Sequence, residues 1–282
     1  MKKIIAVIDA VNYTAQQVDA ITTITALQDH SLTILMLEDT KSANQLLSAA
    51  GMEGLAGGYF QKLRESEHEK KELIEDNYIA LKKACRDKNI SCTIKNIRGI
   101  AEDEVINESR FADLLIIGIA LSFPYLYDTN PTTFVKNMLT HAQCPVMVLS
   151  ENTHLIDGVA FCYNGTYSSM YAIKAFAALF PELINRHCEI VYVCEKDEKT
   201  IPHKEQLQAY LKAYNAHLSY KILTGQPDKA IQAYLDTKTD LIGTFGAYGR
   251  SRVSRFFNSS SADNIIRNLK GPVFITHPSV HS

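Results

Sequence analysis

The sequence lacks long apolar runs, clustered metal ligands and an excess of either charge, and each absence excludes a class of protein. No window approaches the ~18 uninterrupted apolar residues of a membrane-spanning helix, so we expect no membrane association. The formal net charge is −2, which argues against a general nucleic-acid binder. The N-terminal apolar run is broken at Asp9, so we expect no signal peptide and a cytoplasmic protein.

The six cysteines do not form a C-x-x-C pair, and most of them stand in apolar runs. A zinc site needs several cysteines and histidines at short spacing, and His187-Cys188 is the one close pair. We therefore predict no metal site. The cysteines are interpreted as small apolar core residues of a protein in a reducing compartment.

The sequence contains two similar halves. The segments "ADLLIIG" (112–118) and "CPVMVL" (144–149) recur as "TDLIGTFG" (239–246) and "GPVFITH" (271–277), at a constant separation of 127 positions. Upstream, "IIAVIDAVNYT" (4–14) matches "VAFCYNGTYSS" (159–169) at a separation of 155. This repeat predicts two domains, 1–150 and 151–282, joined by the polar segment 150–157.

Each half alternates β-rich apolar runs with amphipathic helical segments. Near-continuous apolar strands are typical of a parallel sheet that is covered by helices on both faces. The predicted fold class is therefore α/β. It consists of two doubly wound, five-stranded parallel sheets with strand order 3-2-1-4-5, related by an internal pseudo-two-fold axis.

The loops after the first and fourth strands of the second half are the candidate ligand site, because ligands of such sheets bind where the strand order reverses. Asn164 follows the first strand, and Gly246 and Gly249 follow the fourth. Glycines let a backbone approach a ligand closely. Three serines then precede an amphipathic segment, where they could cap a helix or help its N-terminus bind phosphate: Ser259, Ser260 and Ser261. The local pattern leaves both interpretations open.

Arg250 and Arg252 stand between the glycines and the serines. They are candidate phosphate contacts, because a guanidinium forms charge-assisted hydrogen bonds to phosphate oxygens.

Gly246, Gly249 and Ser260 fall on the spacing G-x2-G-x9-G-[ST], and in this the second half resembles a universal stress protein domain. The resemblance covers the whole chain as a tandem pair and is weaker in the first half. It implies the adenine nucleotide alpha hydrolase-like fold. It also implies a motif that holds the ribose and phosphates of ATP or AMP, with Mg²⁺ if ATP is bound, and an acidic residue after the first strand that contacts the nucleoside end.

The second half departs from this pattern at two positions. Ser259 replaces the third glycine, and Asn164 replaces the acidic residue. If the glycine position requires a positive φ, the serine costs about 1–2 kcal/mol.

The first half keeps the acidic residue as Asp9, but Ile119 and Ser122 replace the early glycines, and Thr132-Thr133 replace the Gly-Ser pair. We therefore expect a vestigial site of Asp9, Thr132 and Thr133 that does not bind ATP in the manner of the family. Its pocket is either filled by side chains or holds a different small ligand, and the aromatic residues nearby are Phe123, Tyr125 and Tyr127.

Three functions remain open. The leading hypothesis is a stress-response protein that binds adenine nucleotide in its second half and regulates rather than catalyses, with slow ATP hydrolysis at most. The second is an interaction protein of the same fold that has lost nucleotide binding. The third is an enzyme that acts on a nucleotide or small metabolite, although no Ser-His-Asp arrangement or carboxylate pair stands near the predicted pocket.

The fifth strand of each half, "VMVL" and "VFIT", would lie at a sheet edge. Exposed apolar edges are normally covered. We therefore predict that the two fifth strands pair with each other as an intramolecular pseudo-dimer, and a homodimer of chains is a further alternative.

Overall fold

The computed structural model describes residues 1–27, 29–40, 57–123, 128–150, 153–194, 200–214, 217–246, 266–268 and 270–276, with the backbone alone for 57–66. The first half contains, in chain order, β1 (Lys2–Asp9), α1 (Ala15–Thr25), β2 (His30–Asp39), α2 (Gly57–Asp87), β3 (Cys92–Gly99), α3 (Ala101–Ser109), β4 (Leu114–Gly118), α4 (Thr133–His141) and β5 (Val146–Leu149). The second half contains β6 (Gly158–Cys162), α5 (Tyr167–Leu179), α6 (Pro181–Arg186), β7 (Cys188–Cys194), α7 (Lys204–Lys212), β8 (Leu218–Thr224), α8 (Pro227–Leu235), β9 (Leu241–Gly246) and β10 (Val273–Thr276).

The strands form one ten-stranded sheet in the order β3-β2-β1-β4-β5-β10-β9-β6-β7-β8. Each half therefore has the predicted order 3-2-1-4-5, and the α/β fold class is confirmed. The two five-stranded units are joined into one continuous sheet, because β5 and β10 pair antiparallel, with Met147 opposite Phe274. All other neighbouring strands are parallel.

Helices cover both faces of the sheet, as buried parallel strands require. On one face, α1, α2, α5, α6 and α7 pack over alternate strand residues such as Ile4 and Phe161. On the other face, α3, α4 and α8 pack over the intervening residues such as Ile5 and Ala160. Each apolar layer runs across both halves. For example, Met147 of β5 and Phe274 of β10 belong to the same buried cluster, and the ring of Phe176 in α5 meets Phe274 edge-on, with 5.2 Å between centroids.

Part of the segment between β5 and β6 packs against the protein, although its sequence predicts a plain linker. Ser150 and Thr153 are buried, and so is Ile156. The hydroxyl of Ser150 donates a hydrogen bond of 2.7 Å to the carbonyl of Lys270. This connection therefore ties the end of β5 to the residues that lead into β10.

No helix in the described part of the chain is long and apolar enough to cross a membrane.

Candidate ligand-binding site

The carboxyl ends of β6 and β9 lie side by side in the second half, as the prediction of a site there requires. Phe161 pairs with Thr244, so Asn164 and Gly246 emerge at the same edge of the sheet. The other predicted residues lie outside the described residues: Gly249, Arg250, Arg252, Ser259, Ser260 and Ser261.

Asn164 organises the turn between β6 and α5. Its Oδ1 accepts a hydrogen bond from the amide of Thr166 at 3.1 Å and another from the Thr166 hydroxyl at 2.6 Å. Thr166 in turn caps the N-terminus of α5. Between them Gly165 has a φ of +78°, which favours glycine, and a side chain there would collide with Pro202. The turn is therefore short and tight.

This tight turn brings α5 against the end of β9. A Cβ atom at Gly246 would stand 1.8 Å from the backbone carbonyl oxygen of Ser168. Glycine is therefore required at 246 by packing alone, before any ligand is considered.

The corresponding turn of the first half is longer and better braced. Asp9 ends β1, and its carboxylate accepts hydrogen bonds from the amide of Val11 at 2.8 Å and from Nδ2 of Asn12 at 2.6 Å. Nδ2 of Asn77 in α2 donates to the carbonyls of Ala10 and Val11 at 2.9 and 3.0 Å. The loop 10–13 consequently keeps α1 away from the end of β4.

A cavity of about 340 Å³ opens in the first half between this loop, α1 and the end of β4. Its lining combines aliphatic side chains with several polar groups. The lining residues include Asp9, Gln17, Ile21, Gly118, Ser122 and Ser150. In contrast to Gly246, a Cβ atom at Gly118 would have no neighbour within 4 Å.

Phe123 is one of the aromatic residues that could have filled this pocket, but it is not among the residues that line the cavity. Its ring packs edge-on against Phe134 of α4, with 4.9 Å between centroids. Tyr125 and Tyr127 lie outside the described residues. Of the two alternatives for the first half, a pocket filled by side chains and a pocket open to a ligand, the cavity agrees with the second.

The N-terminus of α4 holds a carboxylate from its own chain. Oδ1 of Asp128 accepts hydrogen bonds from the amide and the hydroxyl of Thr133, at 2.9 and 2.7 Å, and from the amide of Thr129 at 2.7 Å. Its Oδ2 accepts from the hydroxyl of Ser122 at 2.5 Å. Burial acts to raise the pKa of Asp128, but these hydrogen bonds outweigh it, so the pKa lies below its usual value.

Thr132, the other predicted residue of this region, serves as the N-cap of α4. Its hydroxyl accepts a hydrogen bond from the amide of Val135 at 3.2 Å and donates one to the carbonyl of Leu121 at 2.6 Å. Asp9 thus ends β1, and Thr132 and Thr133 begin the helix that follows β4. Thr132 is used for capping, and Thr133 is used for binding Asp128.

Three solved structures are similar to the chain over nearly its full length. A universal stress protein from Archaeoglobus fulgidus DSM 4304 matches with a TM-score of 0.71 and 15% identity, covering 98% of each chain. A protein from Pseudomonas aeruginosa UCBPP-PA14, assigned to the same group, matches with a TM-score of 0.57 and 14% identity, covering 99% of this chain and 94% of that one. A protein of unknown function from Pseudomonas aeruginosa PAO1 gives a TM-score of 0.56 at 15% identity, with coverage of 99% and 93%.

The chain has the universal stress protein fold. No protein-family model matches the sequence, and no curated protein is similar to it in sequence. The likeness therefore lies in the three-dimensional structure, which spans both halves.

The strand register of this universal stress fold corrects one position of the sequence alignment. Ala6 pairs with Ile116 in the first half, and Phe161 pairs with Thr244 in the second. Ala6 corresponds to Phe161 in the repeat, so Ile116 corresponds to Thr244. These two residues are separated by 128 positions, one more than the 127 of the sequence alignment. Gly246 therefore corresponds to Gly118, and the expectation that Ile119 replaces the first glycine is wrong.

Sequence reasoning missed three residues that shape the site: Gly118, Asn77 and Asp128. An acidic residue shortly before Thr132-Thr133 was visible, but only the fold of residues 128–133 turns its carboxylate toward the helix. Asn77 lies in a long charged helix where nothing in the pattern distinguishes it from a solvated amide.

No group of three or more potential metal ligands is found among the described side chains.

Proposed function

We propose that the chain is a regulatory universal stress protein that binds adenine nucleotide, ATP with Mg²⁺ or AMP, in its second half. The observation that carries the proposal is the adjacency of Asn164 and Gly246 at the carboxyl ends of β6 and β9. Both residues lie at the point where the strand order of a doubly wound sheet reverses, and ligands of such folds bind at this point. The segment that continues from Gly246 has the motif glycine Gly249 and the serines Ser259 to Ser261.

The uncharged amide of Asn164 is the feature that limits affinity. Its Oδ1 is already used by Thr166. An Asn164→Asp exchange keeps an oxygen for both of these hydrogen bonds and adds a negative charge for the nucleoside end. We therefore expect the exchange to strengthen binding while the turn stays intact.

Calorimetric titration of the full chain with ATP and Mg²⁺, and separately with AMP, tests the proposal. Gly249→Val should abolish the heat of binding, and Asn164→Asp should increase the affinity. The matched control is Asp9→Asn, the reverse exchange in the first half, which should leave the second-half affinity unchanged. The proposal fails if neither nucleotide binds at millimolar concentration, or if Asp9→Asn abolishes binding while Gly249→Val does not.

Gly246→Val is unsuitable for this test, because its side chain would strike Ser168 whether or not a nucleotide binds. The same close packing favours a second candidate function, an interaction protein that has lost its ligand, since it explains Gly246 without a nucleotide. Absence of nucleotide binding in both the wild type and Asn164→Asp would select this second candidate.

The sheet itself constrains how chains associate. β5 and β10 are paired within one chain, so a homodimer would use another surface. All six cysteines carry thiols rather than disulfides, which suits the cytoplasmic location we propose.

A further inference from the structure

The C-terminal end of α2 turns tightly into β3, and this turn brings two cysteines together. Asn89 has a left-handed backbone with a φ of +54°. The amide of Ile90 donates a hydrogen bond to the carbonyl of Cys85 at 2.8 Å, and the amide of Asn89 donates to that of Arg86 at 3.0 Å. These are the two hydrogen bonds of a Schellman motif, which ends a helix and reverses the chain. β3 therefore begins, at Cys92, close to the last turn of α2.

The two thiols lie in the same apolar layer and contact each other. Cys85 is buried in the cluster on one face of the sheet, and Cys92 packs against that cluster while it stays partly exposed. The side chain of Cys92 forms a hydrogen bond with the thiol of Cys85. Burial, followed by this hydrogen bond, raises the pKa of Cys85 to about 12, so Cys85 keeps its proton at neutral pH.

Exposure distinguishes Cys92 from the other thiols. The structure describes all six cysteines, and among them Cys92 alone is partly exposed. The oxidation of a thiol depends on its access to solvent. Cys92 is therefore the sulfur that an oxidant in solution reaches first, and Cys85 is the sulfur held beside it.

We propose that Cys85 and Cys92 form a redox-active dithiol that a hydroperoxide oxidises to an intramolecular disulfide. The sulfur of Cys92 attacks one peroxide oxygen and becomes a sulfenic acid, while the O–O bond breaks and the other oxygen leaves with the proton of that thiol. The sulfur of Cys85 then attacks that of Cys92, the S–O bond breaks, and the leaving hydroxide takes the proton of Cys85 to form water. The two thiols lose two electrons, and the hydroperoxide gains them. Two molecules of a small thiol reverse the reaction and are oxidised to their own disulfide.

The disulfide fastens the end of α2 to β3. About two turns earlier in the same helix, Nδ2 of Asn77 donates hydrogen bonds to the carbonyls of Ala10 and Val11. Oxidation therefore restrains the helix that braces the loop 10–13. The inference does not depend on nucleotide binding, because it concerns the turn between α2 and β3.

The experiment treats the full chain with one equivalent of hydrogen peroxide, blocks the remaining free thiols and analyses the tryptic peptides by mass spectrometry. Trypsin cleaves after Arg86 and Lys88, so the disulfide joins peptide 84–86 to peptide 89–95. We expect this joined pair to be the main disulfide product, and glutathione should remove it.

Two variants separate the roles of the two sulfurs. Cys85→Ala keeps the first step and loses the second, so the sulfenic acid of Cys92 should persist and react with dimedone roughly tenfold more than in the wild type. Cys92→Ser should form neither the sulfenic acid nor the joined peptides. The matched control is Cys144→Ala, which removes a buried cysteine from the layer on the other face of the sheet and should leave the joined pair unchanged.

Three results would overturn the inference. They are oxidation of Cys92 in the wild type without a bond to Cys85, a disulfide between the Cys92 residues of two chains in its place, and equal dimedone labelling of the wild type and Cys85→Ala. The peptide analysis of the wild type needs no substitution, so it decides the matter if Cys85→Ala is unstable. A failure of nucleotide binding changes none of these measurements.

Discussion

Gly118 and Gly246 occupy corresponding positions, yet the structure predicts opposite effects for their replacement by alanine. At Gly246 the new Cβ would lie 1.8 Å from the carbonyl oxygen of Ser168, well inside any allowed contact. The obstacle is backbone, so no side-chain rotation relieves it. The N-terminal turn of α5 would have to retreat by roughly 1 Å or more.

That retreat disturbs a buried region. Ser168 and Ser169 are buried, and further along α5 Phe176 is fully buried against the sheet. Overpacking of this kind costs about 1–3 kcal/mol, and a collision with backbone belongs at or above the upper end of that range. We therefore expect Gly246→Ala to lower the free energy of unfolding by about 3 kcal/mol.

Gly118→Ala meets no atom within 4 Å, and its φ lies outside the left-handed region. In such a position alanine stabilises by about 0.4–1 kcal/mol, because it restricts the unfolded chain. Urea denaturation followed by circular dichroism measures both variants, and the melting temperature of Gly246→Ala should fall by about 6–12 °C. The reasoning is refuted if the two variants differ by less than about 1 kcal/mol, which is far below the expected gap.

Three further predictions concern the first half and the thiols. Asn77→Ala should lower the free energy of unfolding by about 1–3 kcal/mol, because two hydrogen bonds to the loop 10–13 are lost, and an unchanged urea midpoint would contradict this. The pKa of Asp128 is lowered by folding, so its carboxylate stabilises the protein above pH ~4 and that contribution disappears as the pH falls. The difference in stability between wild type and Asp128→Asn at pH 7 should therefore narrow as the pH falls below about 4, whereas a difference that does not change with pH would exclude the assignment. Burial, followed by the charge of Asp113, raises the pKa of Cys144 to about 12, so Cys144 should react with a disulfide reagent only after unfolding, while the partly exposed Cys92 reacts in the native protein.

The strands of the fold were predictable because burial on both faces leaves a continuous apolar run in the sequence. Among the amphipathic segments, 101–109 and 167–179 both form helices, and the second is capped by the side chain of Thr166 whereas the first has no side-chain N-cap. The helix α6 was missed because six residues are too few to show a helical period. The amphipathic segment that follows Ser261 falls almost wholly outside the described residues.

The reversal point of the sheet was predictable, but the details of the structure around it were not. The reversal point of the sheet follows from the strand order, and that order follows from the repeat. The correspondence of Gly118 with Gly246 was not predictable, since β9 has one residue more than β4 and the alignment at 127 hides it. The role of Asp128 depends on how residues 128–133 fold back on the helix, and no periodicity in the sequence encodes that.

The central pairing of β5 with β10 has a consequence for any shortened form of the chain. All four residues of each strand are buried, whereas every residue of the outermost strands β3 and β8 is partly or fully exposed. In a fragment that ended at residue 150, β5 would be an exposed apolar edge strand whose outer amide and carbonyl groups are unpaired. Such a fragment should associate with a second copy of itself through β5. The intermolecular pairing would then replace the pairing of β5 with β10 that the intact chain makes within itself.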